Sequence, residues 1–399
     1  MSISEPLNGD MPLSPTSGPE DASGVPSTGD KASADKKRGL LVRALSDLVV
    51  HADGHLSGHE RGLLDTILTR ILPRLSVEQR RHLSERLANT TEGPAQLMAA
   101  LAVDQAEIAA PLLERGLGLQ NSDLVQIIQE TDPPHWAHIA ARRALSTAVS
   151  DILISHALKQ DATGVLIRVL SNDAVSLSRN AMALLVHRAA TLADIQGPLL
   201  ARAEMTFSLA HTLFWSAPAG LRVQILTRYS VERRTLQEIV GTDILDDALT
   251  AVSADPVLSG AFNLLKPAER VPDAEITRLL NFLEGQQTGE FIDAVSVAAH
   301  IRPETVLKLV GDAGGEPIAV LGKAIGLRRA DLSAYLQGAT AIRSGTALGA
   351  DEFDGIADLF DSLSRDRADL ILHYWDQVIA DSLNASSPED AKPLTPTGA

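Results

Sequence analysis

Residues 135–156 read HWAHIAARRALSTAVSDILISH, and the spacing within them decides the fold. Ile139, Ala140, Arg143, Leu145, Val149, Ile152 and Leu153 recur largely at intervals of three, four and seven. That spacing gathers side chains on one flank of a helix, whereas a strand would alternate with period two. Pro133 and Pro134 stand where a missing N–H is harmless, and Thr131 or Asp132 can accept first-turn donors. A helix is therefore expected to start there, with His135 in its first turn.

The same texture returns on both sides of this stretch. A large apolar residue followed by a small one marks Ile108–Ala109, Ile139–Ala140, Leu177–Ser178 and Leu209–Ala210, at steps of 31, 38 and 32 residues. Two helices with their turns occupy roughly 30 to 45 residues, so the steps predict stacked helix pairs of the HEAT-like kind. An all-α fold follows, with a HEAT-like stacked helix-pair solenoid over residues 39–252 and a smaller helical C-terminal domain over 273–383.

Upstream, residues 1–38 are rich in Pro, Ser, Gly and acidic residues with few large apolar ones, the composition of a disordered tail. A helix is expected from Leu40 through Val49. Ser57 with Glu60 and Ser76 with Gln79 have the spacing of capping boxes, each predicting a helix start. Leu63, Leu64, Ile67, Leu68, Ile71 and Leu72 make the first of these helices amphipathic. Downstream, Pro256, Pro267 and Pro272 place a linker at 255–273. Residues 345–349 read as a loop, 351–383 as an acidic helix pair, and 384–399 as a second disordered tail.

Composition narrows the function classes. The 399 residues are 45% hydrophobic and include no cysteine, so disulfides, thiolate nucleophiles and cysteine-based zinc sites are excluded. The net charge of −16 is concentrated after residue 240, where 12 basic residues face 25 acidic ones. Such a segment is a poor match to nucleic acid or an anionic membrane. No apolar run reaches the roughly 20 residues that span a bilayer, and no secretion signal opens the chain, so a cytoplasmic protein is expected.

The run LSERLANTTEGPAQLMAALAVDQAEIAAPLLERGLGLQNSDLVQII, together with IAARRALS and LSNDAVSLSRNAMALLV, resembles the bacterial domain-of-unknown-function 2336 family. The resemblance covers roughly residues 40 to 340. It implies an all-helical, HEAT-like protein and transfers no activity or site.

Candidate site residues come from the residues themselves. His51, His55 and His59 would align three imidazoles for zinc on an unbroken helix. Gly54 and the Ser57 cap interrupt them, so no metal or other cofactor is assigned. His135 and His138 flank Trp136 with no visible nucleophile or acid arranged around them, and are read as structural or partner-contacting. Residues 39–240 hold 18 Arg and one Lys. Arg142, Arg143, Arg179, Arg188 and Arg202 recur near the small-residue markers, either as internal ion pairs or as an Arg-lined groove for an acidic peptide.

No glycine-rich phosphate loop or catalytic constellation is present. The expected function is a non-enzymatic scaffold or regulatory adaptor that binds a protein partner through the concave face of its helices, with His135, His138, Arg142, Arg143, Arg179 and Arg202 as the contact residues. The alternative is a DNA-binding transcriptional regulator, in which residues 297–336 form a helix-turn-helix-like repeat with Arg328 and Arg329 ahead of its second helix.

Overall fold

A computed structural model describes residues 57–240, 270–342 and 349–385, with isolated positions between 37 and 47 and at Leu264. The two expected tails, the Leu40–Val49 helix for the most part, His51, His55, the loop at 345–349 apart from Gly349, and most of the 255–273 linker lie outside the described residues. The described chain is all-α. Its only departure from helices and turns is an isolated parallel β-bridge between Leu145 and Val175.

The chain divides into two compact units, Met1–Arg142 and Arg143–Ala399. In the first, helices α1 (Gly58–Ile71), α2 (Val77–Leu87), α3 (Ala95–Ala102), α4 (Ala106–Arg115), α5 (Asn121–Glu130) and α6 (Pro133–Ala140) follow one another. The capping boxes at Ser57–Glu60 and Ser76–Gln79 open α1 and α2 as the sequence predicts. Taken in pairs, first members pack on first members, α1 on α3, and second on second, α2 on α4 and α4 on α6. This layering is compatible with a solenoid.

One join between layers replaces a missing cap. Pro94 precedes α3 and offers no side chain to its first-turn N–H groups. The buried carboxylate of Asp65, in α1, accepts from Gln96 N and Leu97 N, both at 2.9 Å. A neighbouring helix thus caps α3 from across the layer.

The second unit begins with α7 (Thr147–Lys159), α8 (Thr163–Leu170), α9 (Arg179–Arg188), α10 (Gln196–Ala201), α11 (Phe207–Phe214), α12 (Ala219–Arg228) and α13 (Arg233–Val240). Ser146, Ser178 and Thr206 cap α7, α9 and α11 through their hydroxyls, so the first helix of each pair restarts after 32 and then 28 residues. Again α9 packs on α11 and α8 on α10.

After the residues outside the description come α14 (Asp273–Glu284), α15 (Thr288–Ala299), α16 (Pro303–Gly311), α17 (Glu316–Ile325), α18 (Leu332–Ile342), α19 (Ala350–Ser362) and α20 (Arg365–Ala385). Residues 316–322 of α17 are buried without a break, since EPIAVLG has no polar side to turn outward beyond Glu316 itself. Helices α15, α16, α18, α19 and α20 all pack on α17, and α12 reaches it from the repeats. Helices on both sides of the expected linker therefore belong to one compact unit.

Three expectations need correcting. The flank from Ile139 to Leu153 is two helices rather than one: α6 ends at Ala140 and α7 begins at Thr147, with Leu145 buried in the connection. The helix at Pro133 uses Pro at its first position as expected, but the Asp132 side chain makes no cap and Thr131 Oγ1 donates backwards to Ile127 O at 2.6 Å. The apolar–small markers also fall on unlike positions, Ile108 and Ile139 within second helices, Leu177 and Leu209 at or inside first ones. Their unequal steps follow from that mixing.

Candidate functional site

Three of the expected contact residues converge within the first unit. His135, in the first turn of α6, lies with Nε2 2.6 Å from Asp104 O in the α3–α4 turn. One turn on, His138 Nδ1 is 2.7 Å from Glu114 Oε1 of α4. Arg142, just past the end of α6, donates through Nη1 to Leu112 O and Leu113 O at 3.1 and 2.9 Å, and through Nη2 to Gly116 O at 2.6 Å. Burial draws the Arg142 pKa below its usual value, yet the guanidinium remains a cation. Its donors meet the Leu113 and Gly116 carbonyls at the end of α4 and share Leu112 O with the capping N–H of Gly116, the groups that a helix C-terminus leaves short of partners.

The second unit repeats this device. Arg202 follows α10 as Arg142 follows α6, and it is only 5% exposed. Its Nη1 reaches Asn172 O at 2.9 Å and its Nη2 reaches Val175 O at 2.5 Å, both just beyond the end of α8. Glu204 neutralises it at 2.7 and 3.1 Å and also accepts Leu177 N at 3.0 Å. These donors hold the Glu204 pKa below the usual carboxylate value against the opposing effect of burial. Tyr229, which follows α12, completes the series by donating its hydroxyl to Leu200 O of α10 at 2.9 Å. In all three, a side chain just past the second helix of one pair closes the end of the second helix of the pair before.

Arg143 and Arg179 behave differently, since both are exposed. Arg179 opens α9, whose outward side also carries Asn180, Ala183, Leu184 and His187, all exposed. Leu184 keeps 45% of its surface in solvent.

Sequence reasoning missed the polar groups that tie the repeats to the later helices. Arg222 of α12 pairs with Asp312 at 2.6 Å and with buried Glu316 at 3.4 Å, and its Nε donates to Ala217 O at 2.9 Å. Arg233 is 1% exposed and meets Asp366 and Asp369 of α20 at 2.8 and 2.5 Å. His211 of α11 sits among the rings of Phe207, Tyr374 and Trp375. The partners these residues meet in the later helices lie 90 or more positions away, so no local pattern announces them. The signal within reach was the recurrence of Arg142, Arg202 and Tyr229 just past a helix end.

Arg328 and Arg329, expected to precede a DNA-reading helix, pair with Asp331 at 2.7 Å and Asp361 at 3.0 Å. Among the described residues, no group of three or more His, Asp or Glu stands where it could hold a metal ion. No described helix is long and apolar enough to cross a membrane.

A family model described as an uncharacterised protein conserved in bacteria, the domain-of-unknown-function 2336 family, matches residues 108–373. The match begins inside α4 and ends inside α20, and it covers more than half of the chain. No curated protein and no solved structure matches.

Proposed function

The chain belongs to the domain-of-unknown-function 2336 family, uncharacterised and conserved in bacteria, and from that premise we propose that it is a non-enzymatic, cytoplasmic protein-binding scaffold with a regulatory role. Helix pairs layered on their sequence neighbours present long ridged faces, and faces of this type bind polypeptides. Arg142 and Arg202, with His135 and His138, contribute by fixing the helices that carry such a face. Arg143 and Arg179 contribute as exposed cations.

The observation that carries the reading is the outward side of α9. A large apolar side chain, Leu184, stands in solvent one turn before the exposed His187, on the helix that the exposed Arg179 opens. Arginine together with exposed apolar area is the composition of protein contact surfaces, where a guanidinium reads a carboxylate and the apolar neighbour excludes water. The partner is therefore a protein with an acidic residue beside an apolar one. The DNA-binding alternative through 297–336 has no comparable support, because α18, in the position of a recognition helix, carries no basic residue.

Affinity capture from a bacterial host of this family, quantified by mass spectrometry, tests the proposal when the chain is compared with an Arg179→Glu/Leu184→Ser variant of equal helical content. The expected result is a small set of proteins that the variant retains at least tenfold less. An identical set on both chains overturns the assignment of this face.

A further inference from the structure

Helix α1 carries a second outward apolar face that the layering leaves uncovered. Leu64 and Leu68 turn inward with Asp65, but Leu63 is 57% and Ile67 37% exposed. Glu60 and Arg70 stand on the same side of the helix and are both exposed. The face therefore reads Glu60, Leu63, Ile67, Arg70, at spacings of three, four and three.

This order has a property that decides what can cover it. The spacings are the same from either end, the two apolar side chains lie in the middle, and the terminal charges are opposite. A second α1 laid antiparallel, with its midpoint at residue 65, sets Leu63 of each chain against Ile67 of the other and Glu60 against Arg70. Laid parallel, it would set like charges together. Glu60 and Arg70 lie about 15 Å apart along the helix, so both ends of the pair engage at once. The bonds from Ser57 N and Ser57 Oγ, at 2.8 and 2.7 Å, go to Glu60 Oε2, which leaves Oε1 to meet a guanidinium.

We propose that the exposed face of α1 is an isologous interface at which two copies of this chain associate through antiparallel first helices. A closed two-fold contact requires a patch complementary to itself, and the charge order of this face meets that requirement. Its small area gives a dimer that depends on concentration rather than an obligate one.

Sedimentation equilibrium of the full chain tests the proposal. The wild type is expected to form a dimer, and Leu63→Glu to be monomeric with unchanged far-ultraviolet circular dichroism. Glu60→Arg and Arg70→Glu are each expected to raise the dimer dissociation constant about tenfold, since each turns two attractions into two repulsions. The double exchange restores the dimer. Because the double variant keeps the capping loss of Glu60→Arg, its recovery is not an effect on helix stability. A wild type monomeric at every concentration overturns the proposal. So does a dimer indifferent to Leu63→Glu, or a double exchange no better than the single ones.

Discussion

Trp375 donates its indole N–H to Nδ1 of His211 across 3.1 Å, and that bond dictates the tautomer of a buried imidazole. With Nδ1 accepting, the proton sits on Nε2, which lies 3.2 Å from the Tyr229 carbonyl. Desolvation brings the His211 pKa down to about 4, and a proton on Nδ1 would set two donors against each other.

The sign of the resulting pH dependence is fixed. An unfolded histidine titrates near 6.5, so above that pH both states are neutral and the full stability is present. As pH falls towards 4 the unfolded chain takes up the proton first, and stability is lost. The expected loss between pH 7 and pH 4 is on the order of 3 kcal/mol from this group. Denaturant titrations followed by tryptophan fluorescence measure it, and His211→Leu is expected to flatten this part of the pH profile.

Arg202 and Arg143 are separated experimentally by where their donors go. Arg202→Ala strands several backbone carbonyls and the Glu204 carboxylate, and is expected to lower stability by about 3 kcal/mol. Arg202→Lys recovers little, since one ammonium on a single stem cannot reproduce the fork. Arg143→Ala and Arg179→Ala, at exposed positions, are expected to stay within about 0.5 kcal/mol. Urea midpoints of the four variants distinguish these outcomes.

Asp65→Ala leaves Gln96 N and Leu97 N without their acceptor. Because Pro94 cannot supply another, a loss of about 1 to 2 kcal/mol is expected. Hydrogen exchange is expected to show faster amide exchange across the first turn of α3, while the first turn of α2, held by Ser76, keeps its protection.

Arg222→Ala leaves Asp312 and the buried Glu316 side by side without their cation. The expected cost is about 3 to 5 kcal/mol at neutral pH. Removing the acid together with its partner, as Arg222→Met/Glu316→Gln, is expected to recover a large part of it. Thermal unfolding of the single and double variants gives the comparison.

Much of the helical content was legible because the signals are local. Ser57 with Glu60 and Ser76 with Gln79 lie three residues apart and cap as written. The break after Ala140 was not legible, since Arg143 and Leu145 continue the three-four spacing although the helix has stopped. Leu145 is buried in the connection, where its backbone bridges Val175. The arginines were legible as a group but not by role. A guanidinium that serves carbonyl oxygens and one that awaits a carboxylate look alike in sequence, and only the helix ends beside Arg142 and Arg202 tell them apart. His211 and Trp375 meet across 164 positions, beyond the reach of any periodicity.

The enclosure of α17 bears on how the protein is made. Its wall includes α20, which leaves the ribosome about 40 residues later, so every nascent chain passes through a stage in which PIAVLG is synthesised with only α12, α15 and α16 available to cover it. Chains stalled or truncated before Arg365 leave the side of that rod that α20 covers in water, and such species aggregate or are held by chaperones. Release of a correctly assembled second unit is therefore timed by the arrival of α20, however early the preceding repeats have settled.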